Sequence, residues 1–499
     1  MRKHTVTNFK SDSRISKGEP AVFPVLTFLQ PRHIMKASKK KEVASVAQQR
    51  LQLTEGPIWK GILLFALPVL LGNLFQQFYN AFDSWCVGNF IGEDALAAVG
   101  SSGSLIFMMV SFFNGLAMGA GVVIARLFGA KEYDSMRKAI HTAIAFGLVT
   151  GMVLTAVGMG LTPVILRWMG TPEEVLPQSV TYFRWYFAGA IFIVMYNIFV
   201  GILHAVGDSR HPLYYLMFST VVNIVLDMLF VAVLGFGVGA AAIATTISQG
   251  ISALLCCIHL LRVDAPYKIT LQEIRFDRKS LLDIVRYGLP SGVQNSVISL
   301  ANVVVQANIN SFGKSAMAGC GAYNKLEGFS FLPIACFTQA LSTFVGQNLG
   351  AHKHDRVRKG VVFGICCSCG MAMLIGVVSY LAAPQLIGFF IDTPDAIRFG
   401  TEHMQTICPF FFLAAFSHCA AGVMRGAGKA TVPMFTMLAC WCLIRVTYIT
   451  IAVKFVNRLT TVSWAYPITW ILSSIVFLIY LVKADWIHNF DRMETAGNL

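Results

Sequence analysis

Gly129-Ala130-x-x-x-Asp134-x-x-Arg137-Lys138 returns as Gly350-Ala351-x-x-x-Asp355-x-x-Arg358-Lys359, displaced by 221 residues. Gly207-x-x-x-x-Pro212 returns as Gly428-x-x-x-x-Pro433, and Ala244-x-x-Ile247 as Ala465-x-x-Ile468, at the same displacement. Leu67-Pro68 meets Leu289-Pro290 one residue out of step. Three matches sharing one offset mark an internal duplication. The duplicated material is apolar: of 499 residues 56% are hydrophobic and only 13% charged, against about 25% charged in a soluble chain. With a mean hydropathy of +0.63, a disordered chain, a secreted disulfide scaffold and an ordinary cytosolic protein are excluded. The 42 Gly and 38 Phe suit close helix contacts and lipid-facing surface.

A bilayer crossing needs about 20 apolar residues. Stretches free of Asp, Glu, Lys and Arg begin near Gly61, Ala95, Thr142, Trp185, His211 and Met228, then near Tyr287, Gly328, Gly360, His403, Ala430 and Leu459. Runs of this length satisfy their backbones in lipid only as helices. The expected fold is therefore an all-α polytopic membrane protein, twelve transmembrane helices in two duplicated six-helix lobes. Six spans separate each repeated pair, so the halves share one orientation, as in transporters whose pathway runs between parallel repeats. The expected parts are a basic, disordered tail over 1–52, an N-lobe over 53–262, a connector over 263–286, a C-lobe over 287–485 and a tail over 486–499.

The net charge of +14 is concentrated before the first span: residues 1–60 carry twelve Lys/Arg against four Asp/Glu. That distribution speaks for topology and anionic lipid rather than nucleic acid. Joints on one side of the predicted spans, with the C-terminal tail, hold 19 Lys/Arg beyond residue 60. The opposite joints hold five, Arg167, Lys314, Arg398, Lys454 and Arg458. Both termini are thus expected in the cytoplasm of a bacterial inner or plasma membrane. Met35, which opens a basic run, is the expected natural start, with 1–34 an over-extension lacking a convincing signal peptide. The twelve Cys lie mostly within apolar runs without zinc spacing and read as small packing residues.

Ionisable residues inside a membrane are costly and mark function by default. Asp83 ends the first span in Gln76-Gln77-Phe78-Tyr79-Asn80-Ala81-Phe82-Asp83. Asp227 interrupts the fifth in Asn223-Ile224-Val225-Leu226-Asp227. Asn223 and Asp227, four apart, share a helix face. Two carboxylates with amide and hydroxyl oxygens suit a hard monovalent cation, or a proton shared by crowded acids. At the 221 offset Asn223 maps to Ile444 and Asp227 to Tyr448, and Asp83 falls on Val304 or Val305. The acids therefore belong to one half alone; capping or bridging helices is the alternative role. Glu327 and Lys325 sit in the eighth span and Arg445 in the eleventh, where Glu327 and Arg445 are expected to pair. Gln76, Asn80, Gln294 and Glu327 are candidate cavity or substrate contacts, with polar packing between helices the other reading.

On Pro68 with Asp83, the Gly-Ala-basic joints, Gly207-Asp208-Ser209, Asn223-x-x-x-Asp227 and Ala241-x-x-x-Thr245, the chain resembles the multidrug and toxic compound extrusion (MATE) transporters over residues 53–485. The resemblance implies a secondary antiporter. It also implies an N-lobe coupling-cation cluster of Asp83, Asn223, Asp227 and Thr245, and a first helix able to bend at Pro68. Other members use acids in the seventh and tenth helices, and here Leu289 to Phe312 and His403 to Met424 contain none.

The expected function is export of amphipathic, cationic drugs or toxic metabolites in exchange for H+ or Na+, by rocking of the lobes. The expected protein is a monomer in the lipid bilayer, with no cofactor, no catalytic residues, and no metal beyond a possible Na+ at the four cluster residues. The nearest rival is a flippase for lipid-linked saccharides, which would favour a more cationic cavity. No HExxH, GxSxG or Walker sequence occurs, which speaks against an enzyme and against ATP drive.

Overall fold

With no water in a bilayer to satisfy backbone groups, long apolar runs close their hydrogen bonds locally, and every regular element among the described residues is helical. The computed structural model describes residues 53–168, 171 and 173–491, the backbone alone over 93–109. The expected tail 1–52, with Met35, and residues 492–499 lie outside the described residues.

The first half comprises α1 (Ile58–Phe90), α2 (Glu93–Gly129), α3 (Tyr133–Trp168), α4 (Leu176–Ala188), α5 (Ala190–Ala205), α6 (Arg210–Asp227) and α7 (Gly239–Arg262). A π-helical segment, Met228–Val233, continues α6. The second half begins with α8 (Arg278–Asn310), α9 (Lys314–Ser330), α10 (Leu332–Gly350), α11 (His354–Leu381) and the short α12 (Ala383–Gly388). It continues through α13 (Pro394–Ile407), α14 (Phe411–Gly426), α15 (Thr431–Met437), α16 (Arg445–Phe455), α17 (Leu459–Ser463) and α18 (Ala465–Lys483). A second π-helical segment, Leu438–Ile444, joins α15 to α16. Ten spans, and an eleventh made by α4 and α5 across a 44° bend, are long and apolar enough to cross a membrane. The 33-residue α8 is the twelfth, its polarity set by Gln294, Asn295, Asn302, Gln306, Asn308 and Asn310.

Several boundaries differ from the charge-free runs. The sixth span starts at Gly239 rather than Met228, because Gly235, at φ +63°, breaks the apolar run. Within the expected connector, α8 already starts at Arg278. The Asp277 carboxylate caps it, accepting from Ser280 N (2.9 Å) and Oγ (2.8 Å). The fourth and tenth spans start earlier than expected, at Leu176 and Pro394, since Arg184 and Arg398 point outward and do not stop a helix.

The duplication is visible in the backbone. Left-handed residues recur 221 apart, as Gly92 and Gly313, Lys131 and His352, and Gly207 and Gly428. Such residues are the usual way to leave a helix end. The glycines of the repeated motif serve a second purpose. A Cβ on Gly129 would strike the Gln347 carbonyl, and one on Gly350 the Arg126 carbonyl. Arg126 and Gln347 are themselves repeat mates, so the contact is a pseudo-twofold one. Nearby, α2 meets α8 backbone to backbone at Gly115 with Gly292 and at Gly119 with Gly288.

Further ties close the same end of the molecule. Gln347 Nε2 donates to Ala205 O (2.7 Å), and its Oε1 accepts from Leu53 N (3.1 Å). The Arg356 guanidinium donates to the carbonyls of Leu53, Glu55 and Gly56, strapping the segment before α1 to the second half. Beyond α18, Trp486 and Phe490 are buried, and Asn489 Nδ2 donates to Ala427 O (2.9 Å). The start of the expected C-terminal tail is thus docked. The seam lies at the end that carries the basic joints.

Candidate cation site in the N-terminal half

Four helices converge on one polar spot. Tyr79 and Asp83, one turn apart, come from α1; Asn223 and Asp227 from α6; Thr245 from α7; and Tyr182 and Tyr186 from α4, their rings stacked at 6.3 Å. Asp227 and Asn223 have no exposed surface, and Asp83 and Thr245 are buried. Asp83 and Asp227 are close enough to repel each other, and Asn223 lies beside Asp227. Tyr79 sits against both Asp83 and Thr245, and Tyr182 and Tyr186 are within electrostatic reach of Asp83. The structure thus brings together Asp83, Asn223, Asp227 and Thr245, all from the first half.

The state of their polar atoms matters most. Both carboxylate oxygens of Asp227, Oδ1 of Asp83 and both amide atoms of Asn223 are buried without a hydrogen-bond partner. Thr245 Oγ1 donates back to Ala241 O (3.0 Å), which leaves its lone pairs free to accept. An ionised carboxylate buried without a partner costs several kcal/mol, so this pocket requires neutralisation by a proton or a cation. Its donors are all hard oxygens, which select hard ions over thiophilic metals. Directly after Asp227 the helix widens into the π-helical segment, a distortion frequent at functional sites.

The other candidates are scattered. Gln76 and Asn80 are exposed on α1. Gln294 is buried, its Nε2 donating to Met437 Sδ (2.9 Å). Pro68 lies within α1, which runs unbroken through it. Glu327 accepts from Tyr323 OH (2.8 Å) in the second half. Its expected ion pair with Arg445 is not made: among the described residues no salt bridge joins them. The Arg445 guanidinium instead donates to Asn302 Oδ1 (3.3 Å) and Thr469 Oγ1 (3.0 Å) and lies over the rings of Tyr466 (4.5 Å) and Trp441 (5.3 Å). Two neutral partners and two aromatic faces hold it where it stands, with its Nε unpartnered and Glu327 within electrostatic reach but beyond ion-pair distance. Tyr79 was legible as a pocket residue from its four-residue spacing to Asp83; nothing in the sequence singles out Tyr182 and Tyr186.

This architecture defines a multi-pass membrane transporter built from two six-helix repeats. The MatE family model matches the chain twice, over residues 68–229 and 290–451, and the chain belongs to that family of multidrug efflux transporters. Among curated relatives it is similar to "Probable multidrug resistance protein YpnP" of Bacillus subtilis (strain 168), 29% identical over 78% of this chain and 87% of the relative. It is also similar to "Multidrug export protein MepA" of Staphylococcus aureus (strain MSSA476), 20% identical over 77% and 84%. Among solved structures, one described as "Crystal structure of MATE in complex with MaL6" superposes with a TM-score of 0.81 at 24% identity, over 90% of this chain and 99% of that one. An "Outward-facing conformation of a multidrug resistance MATE family transporter of the MOP superfamily" gives the same TM-score, identity and coverage.

Proposed function

We propose that this transporter exports amphipathic, cationic small molecules in exchange for H+ or Na+, and that the ion binds at Asp83, Asn223, Asp227 and Thr245. The observation that carries the reading is the group of buried, unpartnered carboxylate and amide oxygens in one lobe only. A proton or Na+ entering there offsets one of the two negative charges, relieves the repulsion between Asp83 and Asp227, and draws α1, α6 and α7 together. Leaving, it restores the repulsion between Asp83 and Asp227 and loosens the same helices. Substrate and cation then favour different packings of the N-lobe, and a ligand shifts such an equilibrium only by its difference in affinity for the two states. Rocking of the lobes about the Gly129–Gly350 seam converts that difference into exchange.

The basic joints support a reading in which the seam, and both termini, lie on the cytoplasmic face. The described conformation is then closed inward. The names borne by the relatives, multidrug resistance and multidrug export, support a substrate class of chemically varied drugs. Everted membrane vesicles test the reading. An inward-directed substrate flux that starts when a proton or sodium gradient is imposed, and stops when that gradient is collapsed, is the expected result. Equal flux with neither gradient would overturn it.

A further inference from the structure

A second polar cluster stands at the seam end of the N-lobe, outside the pocket. Asp208, in the turn between α5 and α6, is buried. Its Oδ1 accepts from the backbone N–H groups of Arg210 and His211 (both 3.2 Å), and its Oδ2 accepts from His211 Nδ1 at 2.6 Å. His259, three residues from the end of α7, places its Nε2 at 3.8 Å from the same Oδ2. The two imidazole rings lie 4.2 Å apart. One ligand atom from each of the three residues falls within 4.8 Å of the others. His259 Nε2 is buried and makes no hydrogen bond. The group is thus a carboxylate oxygen flanked by two imidazole nitrogens, one of them without a hydrogen-bond partner.

We propose that Asp208, His211 and His259 bind one divalent transition metal of the zinc, cobalt and nickel class. Imidazole with carboxylate selects these borderline ions over Mg2+ or Ca2+, which take oxygen alone. Three protein ligands leave further positions for water. A separation of 3.8 Å is too long for a hydrogen bond but fits two ligands of one metal after a small side-chain rotation. The metal displaces the proton that His211 Nδ1 shares with Asp208. It also gives the orphaned His259 nitrogen a partner. The consequence is mechanical: the ion ties the start of α6 to the end of α7, the two helices that carry Asn223, Asp227 and Thr245. His211 lies twelve residues before Asn223, about 18 Å along the helix, so the clamp acts on the pocket's helices without touching the pocket. The proposal concerns binding alone and does not depend on the coupling mechanism.

A comparable set, His352, His354 and Asp491, lies beyond the seam in the second half. Its side chains are 55%, 24% and 32% exposed, whereas Asp208 is 3%, His259 16% and His211 45% exposed. The second set serves as the internal control. The test is Co2+ titration of the purified full-length protein after chelator treatment, followed by the d–d absorption of the bound ion. Wild type is expected to bind one equivalent. His259→Gln and Asp208→Asn are each expected to weaken binding by at least about tenfold, while the double variant His352→Ala/His354→Ala keeps it. Should His259→Gln fail to fold, the half-exposed His211→Asn gives the same readout. Absence of saturable binding by wild type, unchanged binding in the His211 and His259 variants, or loss only in the His352/His354 variant would each overturn the assignment.

Discussion

Where the N-lobe places Thr245 the C-lobe places Tyr466, and where the N-lobe has Asp227 the C-lobe has Tyr448. The same region of the repeat thus holds an acidic, oxygen-lined pocket in one half and a guanidinium in an aromatic box in the other. Asp227 is followed by a π-helical segment and Arg445 is preceded by one, so both halves distort the same span beside their charged residue. The satisfaction of that charge separates them. Arg445 has two hydrogen-bond acceptors and two ring faces, with only its Nε left unpartnered, whereas neither oxygen of Asp227 has a partner. A buried charge that is mostly partnered fixes a structure, while one with no partner at all needs a visitor. Duplication supplied two bundles of one shape, and divergence left the incomplete electrostatics to the first.

That contrast can be broken in four ways. The largest effect belongs to Asp227→Asn and Asp83→Asn: gradient-driven export measured in everted vesicles falls to the level of vesicles lacking the protein, with membrane insertion unchanged. Next come the seam glycines, which are symmetric where the pocket is not. Gly129→Leu and Gly350→Leu are each expected to cut the transport rate by about tenfold, because a one-ångström displacement at a packed backbone contact forces the helices apart. The two losses should be equal, and a large inequality would deny the pseudo-twofold seam. Thr245→Val removes one oxygen from the pocket at nearly constant shape. It should weaken apparent cation affinity by about tenfold, the equivalent of roughly 1.4 kcal/mol, as read from the half-saturating cation concentration. The smallest change is expected from Arg445→Met. It leaves that concentration within about twofold of wild type, as independent sites do, although the protein is less stable to heat.

Much of this was legible before any coordinates. The 221-residue offset gave the lobes, because a glycine that must touch a backbone, such as Gly129 or Gly350, is hard to replace in either copy. Asp83, Asn223 and Asp227 stood out because charge is rare in lipid and because spacing put the last two on one face. Other features were hidden for physical reasons. Tyr182 and Tyr186 look like any membrane aromatics until α4 is packed against α3 and α7. The break at Gly235 sits within an uncharged run and changes no hydropathy average. Arg445 was matched to Glu327 by charge alone, whereas its position favoured nearer neutral oxygens and aromatic rings. Asp208, His211 and His259 are drawn from a turn and two helices, and only the packing of α6 against α7 brings the side chains together.

The central claim is that the coupling ion is held in the first half alone. The most direct measurement is equilibrium cation binding to the purified protein, with proton release and sodium uptake followed in the same sample. Wild type is compared with the pairs Asp83→Asn/Asp227→Asn and Glu327→Gln/Arg445→Met. The account predicts that binding vanishes in the first pair and persists in the second. Persistence in the first pair, with loss in the second, would contradict it.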